Sequence, residues 1–333
     1  MAITQQSITS TFGSVLTSKL REWLKQNPVE QTNQGNVFLD HVYRSNRISL
    51  NDSNRYDCPV SFIETNKGDF YDGADVTSTA GSDDVTIAQY PASSLTEPVK
   101  LLRKDMKKTA NGIFNLLVHK TRQARLRARN LLADSLMNYS QTNSKHVLGV
   151  PQILQEAPTS DGAIGGLNAS NDAGWGNQFK DASDTFANSV GDFDEVSYEC
   201  TRAGLTDWDY IVTTPTVSYG MKAEARANQA IDVGVKPASG RFADSGYTGI
   251  TYEGKPVLVD RHLEDGRSGG DSAFFMNDDD IFLNVDPTDD FVIEGPFPLQ
   301  SGGQHGALWN IYWTGALVAC GRSGSGVVFD ITG

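Results

Sequence analysis

The sequence predicts an α+β protein in which one long helix separates an extended hairpin from a region of alternating short strands and helices. Three observations carry this prediction. Residues 109–138 (TANGIFNLLVHKTRQARLRARNLLADSLMN) hold a helical repeat for roughly thirty residues, an element about 45 Å long. Residues 58–66 (CPVSFIETN) and 85–100 (VTIAQYPASSLTEPVK) have strand character on either side of a polar stretch, KGDFYDGADVTSTAGSDD. From about residue 146 short strands and helices alternate, closing on ALWNIYWTGALVAC (307–320), whose aromatic and branched residues suit a buried strand. At 333 residues the chain is long enough for a substantial core and two compact domains.

Residues 7–27 read as a short amphipathic helix. Phe12, Val15, Leu16, Leu20, Trp23 and Leu24 share one side, and Pro28 closes the segment. A polar tether follows, so this helix is expected to dock on its own body or on another copy of the chain. The strands at 58–66 and 85–100 predict a long hairpin with an acidic, flexible tip. With little alternating apolar content it cannot bury itself and should lie across another surface.

On the long helix, Ile113, Leu116, Leu117, Ala124, Ala128 and Leu131 fall on one face and Arg122, Arg125 and Arg129 on the other. Lys120 and Arg127 sit near the apolar face, and Leu126 lies off it. Further on, 208–213 (WDYIVT) reads as a strand and Pro215 opens a helix. Residues 249–259 read as a hairpin turning at Glu253-Gly254. Apolar strands at 272–276 and 281–285 flank Asn277-Asp278-Asp279-Asp280, and the terminal GVVFDITG is expected to pair beside 307–320.

Net charge is −13, which argues against a general nucleic-acid binder. The charge is uneven. Residues 100–129 hold ten Lys/Arg and one acid, a local +9, against −22 for the remaining residues. No run approaches the ~18 apolar residues of a membrane helix. MAITQQSITSTFG lacks the features of a secretory signal, so cytoplasmic synthesis is expected. Cys58, Cys200 and Cys320 are far apart and have no zinc-like spacing; they are expected as small buried residues or free thiols.

No motif points to catalysis. The Asn277–Asp280 run and Asp286-Pro-Thr-Asp289-Asp290 lack the glycine and distal glutamate of a calcium loop and read as acidic turns. His41, His119, His146, His262 and His305 show no metal-ligand spacing. GRSGSG (321–326) fits neither a phosphate loop nor a nucleophile elbow and reads as a turn between the final strands. No catalytic residue, cofactor or metal is expected, and the chain is read as a non-enzyme.

Taken in order, arm, extended hairpin, long helix and inserted domain resemble the major capsid protein of tailed bacteriophages, a shell fold shared with herpesviruses and encapsulins. HVLGVPQILQEAPTSDGAIGGLNAS followed by Trp175, and WDYIVTTPTVSYGMK followed by YEGKPVLVD, are similar to phrases of that family. The resemblance implies an N-terminal arm at 1–57 and an extended loop at 58–100. It implies a peripheral domain with the spine helix at 101–145 and 301–333, and an axial domain at 146–300. It further implies a structural subunit that assembles into hexamers and pentamers of an icosahedral head in the host cytoplasm, ending in the virion.

Double-stranded DNA would be enclosed rather than specifically bound, and no membrane would be involved. Scaffolding is expected from a separate protein, since no N-terminal scaffolding segment is seen. A portal and a decoration protein are the other expected partners. Candidate inter-subunit contacts are Lys67, Asp69, Phe70 and Tyr71 in the loop and Trp23 in the arm. Lys67 could also suit a loop cross-link, but no partner asparagine is identified. Arg122, Arg125 and Arg129 have two readings, pairing with acidic residues of neighbouring subunits or nearby loops, which is favoured, or an inward basic face touching DNA. The rival functions are an encapsulin-like cellular shell, a carbohydrate-binding or hydrolytic domain, and a phage tail or decoration protein.

Overall fold

A computed structural model describes residues 35–44, 48–51, 53–61, 85–102, 116–139, 145–204, 207–227, 250–263, 269–298 and 306–332. The amphipathic helix expected at 7–27, the hairpin tip and residues 109–115 of the long helix lie outside the described residues. The elements, in order, are α1 (Val37–Arg44), β1 (Ile48–Leu50), β2 (Arg55–Ser61), β3 (Val85–Pro91), β4 (Ser93–Leu102) and α2 (Leu116–Met137). There follow α3 (Val150–Ile153), β5 (Gln178–Thr185), α4 (Phe186–Ala203), β6 (Tyr210–Thr213), α5 (Pro215–Ala227), β7 (Ile250–Tyr252) and β8 (Lys255–Val259). The chain closes with β9 (Asp271–Met276), β10 (Ile281–Pro298), β11 (Gly306–Ala319) and β12 (Gly326–Thr332).

The strands form three sheets. One has the order β1-β10-β11-β4, a second β5-β12-β9-β6-β8-β7, and β2 pairs with β3 alone. The expected strand 85–100 is therefore two strands in different sheets, parted at Ala92. Pro91 has no N–H to extend the ladder, and the Ala92 N–H turns to the Asn54 carbonyl at 3.0 Å. The terminal strand is also corrected. β12 lies between β5 and β9, and does not pair with β11, because β10 and β4 already occupy both edges of β11. The hairpin at β7–β8 turns at Glu253 (φ 50°) and Gly254 (φ 78°), the double left-handed pair a two-residue hairpin turn requires.

The chain divides into two compact units, with the division falling inside β4, α2, β10 and β11. The larger contains Gly35–Ser94, Leu132–Asp290 and Thr314–Gly333. Its six-stranded sheet is apolar on both sides, and this explains the unbroken buried runs of β6 (YIVT) and β9 (SAFFM). One face, with Ile211, Ala273, Phe275 and Val328, packs against Phe193, Val196 and Cys200 of α4 and Val217 and Met221 of α5. The ring of Trp208 meets Phe275 edge-on at 5.1 Å. On the other face, the tilted ring of His41 from α1 meets Tyr210 at 4.4 Å and Tyr139, just after α2, meets Phe274 at 6.1 Å.

The smaller unit includes Leu95–Leu131 and Phe291–Trp313. Among the described residues, buried Val99, Ala124 and Ile311 cluster in it with Phe291 and Trp309 against them, and Leu101 and Trp313 are buried as well. Ala124 and Ala128 are fully buried on α2. The stripe continues as Leu132 and Leu136, following the i, i+4 ridge, so Leu131 is 44% exposed rather than part of the apolar face as expected. Gly306 lets β11 begin close beside β4, since a Cβ there would stand 2.4 Å from the Leu101 carbonyl oxygen.

Candidate assembly surfaces

The base of the long hairpin is the best-defined candidate. In β2, Tyr56, Cys58 and Val60 are buried in strict alternation with exposed Arg55, Asp57, Pro59 and Ser61. In β3 the buried positions are Ala88 and Tyr90. The antiparallel register sets Cys58 opposite Ala88 and Pro59 opposite Ile87, so each face of the ribbon has one character. Contrary to the sparse alternation read from the sequence, the base buries a full apolar face on its own body.

Three further contacts hold that face. Tyr90 donates its hydroxyl to the Ala319 carbonyl at 2.8 Å, and burial pushes its phenol up to about 12. The Gln89 N–H donates to the Gly165 carbonyl at 2.8 Å. Cys58 and Cys320 form a disulfide, with Cα atoms 5.6 Å apart. This corrects the expectation for these two cysteines. Their separation of 262 positions hid a pairing that the β2–β3 register creates by turning Cys58 inward, toward the end of β11. Cys200 remains a buried thiol, as expected. The outward face of the ribbon leaves Val85 68% and Ile87 49% exposed, next to Pro59.

The expected contacts Trp23, Lys67, Asp69, Phe70 and Tyr71 lie outside the described residues. Arg122, Arg125 and Arg129 stand on α2, the first two exposed and the third half-buried. Arg125 donates to the Phe291 carbonyl at 3.4 Å. Nearby, Arg127 pairs with Glu97 at 2.8 Å and Lys120 donates to the Lys100 carbonyl at 3.1 Å. Several cations of the +9 segment thus have partners within their own subunit. Apolar side chains are exposed in the same unit: Leu102, Leu131, Val292, Ile293 and Phe297.

Other polar clusters are internal supports. Arg322, inside the GRSGSG phrase that reads as a plain turn, is 1% exposed. Its Nη2 donates to Gln155 Oε1 at 2.9 Å and Asn177 Oδ1 at 2.8 Å, and it lies 5.7 Å above the Trp175 ring. Burial draws its guanidinium down to about 10. Asp260, fully buried, accepts the N–H groups of Phe38 at the start of α1 and of His262. Burial pushes its carboxyl up, opposed by those two bonds.

His262 meets Asn36 Oδ1 at 2.7 Å and Asp134 through its other ring nitrogen, and His41 meets Asp278 at 3.3 Å. Spacing along the chain gave no sign of these pairs, because each joins residues more than a hundred positions apart. Asp279 donates its N–H to Asn277 Oδ1 at 2.9 Å, so the first acidic run forms a local turn. Asp286–Asp290, expected as a turn, instead lies inside β10, where the Thr288 N–H donates to Asp286 Oδ1 at 2.8 Å. Among the described residues, no group of three or more His, Cys, Asp or Glu gathers as a metal-binding set. A cavity of about 230 Å³ between α4, α5 and the end of β12 is lined mainly by apolar side chains, including Phe186, Val217 and Ile331.

No family model matches the sequence, and no curated protein sequence does. Solved structures do match in three dimensions. The cyanophage A-1(L) capsid asymmetric unit is 13% identical with a TM-score of 0.62, covering 92% of this chain and 95% of that one. The capsid of the native GTA particle is 12% identical with a TM-score of 0.61, over 91% of this chain and 92% of the other. The holo-SrpI encapsulin of Synechococcus elongatus PCC 7942 is 11% identical with a TM-score of 0.59, over 92% and 90%. With phage capsids and an encapsulin superposing over nearly its whole length, the chain has the α+β major capsid fold that these shell proteins share.

Proposed function

We propose that this chain is a structural shell subunit, the major capsid protein of a tailed phage, which self-assembles into hexamers and pentamers around double-stranded DNA. The observation that carries the reading is the near end-to-end likeness to capsid chains, about nine-tenths of the length on both sides. Exposed apolar residues on the hairpin's outer face and in the smaller unit support it. Val85, Ile87, Val292, Ile293 and Phe297 would be covered by neighbouring copies.

In this proposal, residues 1–57 act as an arm, 58–100 as the extended loop, 101–145 with 301–333 as the peripheral domain, and 146–300 as the axial domain. Trp23, Lys67, Asp69, Phe70 and Tyr71 contact neighbours. Assembly takes place in the host cytoplasm with a separate scaffolding protein, a portal and a decoration protein, and the product is the virion shell. No catalytic step is assigned. The net charge of −13 suits a container that must not hold its DNA tightly. Arg122, Arg125 and Arg129 serve first in contacts between protein groups, in line with the carbonyl and carboxylate partners of Arg125 and Arg127.

The encapsulin likeness favours a second reading, a cellular shell around a protein cargo. One experiment separates them. Particles purified from cells expressing the chain with its neighbouring genes are treated with nuclease, imaged, and assayed for protected nucleic acid. Closed shells with protected DNA are expected. Closed shells enclosing protein alone would favour the cellular shell, and a lasting monomer would overturn both.

A further inference from the structure

Resting on the shell-subunit reading, we propose that Cys58 and Cys320 are an oxidation site, closed by a low-molecular-weight disulfide such as glutathione disulfide after the hairpin base has seated, so that the bond locks the hairpin to the body. The seat is complete without the sulfur bond. Tyr56, Ala88 and Tyr90 are at most 2% exposed. The Tyr90 hydroxyl reaches the carbonyl of Ala319, the residue next to Cys320. On the far side, Gly165 has φ 61°, and a Cβ there would stand 3.0 Å from Ala88 Cβ and 3.1 Å from Tyr90 Cζ. A side chain at this position would be strained and would press on Ala88 and Tyr90, and the same approach brings the Gly165 carbonyl to the Gln89 N–H. None of these contacts uses a sulfur atom, and they flank Cys58 where its Cα lies 5.6 Å from that of Cys320, within the ordinary disulfide span; in the proposed order they form first.

Exposure gives the order of the chemistry. Cys320 is half-buried and Cys58 only 6% exposed, so Cys320 meets the oxidant first. Its thiolate attacks one sulfur of the small disulfide, forming a mixed disulfide and expelling one small thiol. The Cys58 thiolate then attacks the Cys320 sulfur and expels the second. The two protein thiols are oxidised, the small disulfide is reduced to two thiols, and the protons go to those products. Cys200, fully buried in α4 with its thiol pushed up by burial, takes no part.

A reducing cytosol keeps such a pair open, and release from it closes the pair. Closure ties β2, and with it the root of the hairpin, to the point where the chain leaves the four-stranded sheet for β12. The cross-link spans 262 positions, and closing so long a loop strongly restricts the unfolded chain.

The test uses the full chain, purified as particles under reductant and then exposed to glutathione disulfide. Peptide mass spectrometry should find free thiols at all three cysteines beforehand and a single Cys58–Cys320 link afterwards. The melting midpoint of the particles should rise by roughly 5 °C or more on oxidation. Cys58→Ser and Cys320→Ser should fold and assemble like the reduced protein and show no rise. If reduced wild type and both variants fail to fold while the oxidised chain folds, the bond is a folding requirement and the late lock is wrong. A link that forms without raising the midpoint, or none forming, also overturns it. If the chain never assembles in either state, the shell reading fails, and the same rise measured on the soluble chain still decides the lock.

Discussion

The two compact units of this chain are stabilised in different ways. The larger has a six-stranded sheet packed on both faces, with Trp208, Phe193 and Phe275 all at 1% exposure or less. Among the described residues, the smaller buries Val99, Leu101, Ala124, Ala128, Ile311 and Trp313 and leaves Leu102, Leu131, Val292, Ile293 and Phe297 37–44% exposed. A unit of the first kind has enough internal packing to hold its own shape. One of the second kind gains further hydrophobic stabilisation when something covers its exposed side chains. In the proposed shell, neighbouring copies supply that cover, so the weaker unit is where assembly and stability meet.

The contrast can be broken from the larger side first. Phe275→Ala removes a ring shared by Trp208, Phe193 and Tyr252 and should cost about 3–5 kcal/mol, read by denaturant unfolding. A loss below ~1 kcal/mol would mean that this core is not the main source of stability. In the smaller unit, Ala124→Leu forces three extra carbons against Val99 and Ile311 and should cost about 1–3 kcal/mol. Its effect should be larger on particle yield than on the melting of the subunit.

The smallest effect concerns pH. Burial raises the Asp260 carboxyl, so the folded state takes up a proton before the unfolded one as pH falls. The penalty of the buried charge is full above the raised folded value. It is relieved as pH drops through that value toward the ordinary 3.8. Measured against Asp260→Asn, wild type should therefore gain relative stability between neutral pH and about pH 4. A flat difference across that range would show that the carboxyl is not raised.

Local features were readable from the sequence because local chemistry decides them. Pro215 opens α5, Glu253-Gly254 turns the β7–β8 hairpin, and the branched run at 307–320 forms β11. Partners distant in the chain were not. The placement of β12 depends on β11 having both edges filled, which no property of GVVFDITG encodes. The Cys58–Cys320 bond depends on the hairpin register, and the Arg322 anchor on Gln155 and Asn177, over 140 positions away. Leu131 was misplaced because the helical stripe was read across mixed i+3 and i+4 steps, whereas burial follows i+4 through Leu132. As for the candidate surfaces, the expected contacts in the loop and arm lie outside the described residues, and the outward residues Val85 and Ile87 became visible once the register was known.

The central claim is that the exposed apolar side chains of the smaller unit are covered by other copies of the chain. Sedimentation of the full chain beside the double variant Val292→Asp, Ile293→Asp tests it most directly. Wild type should form shells or ring-shaped capsomers, and the variant a soluble, folded subunit whose melting is lowered because both positions are 37% exposed rather than free. A variant that assembles as well as wild type would contradict it.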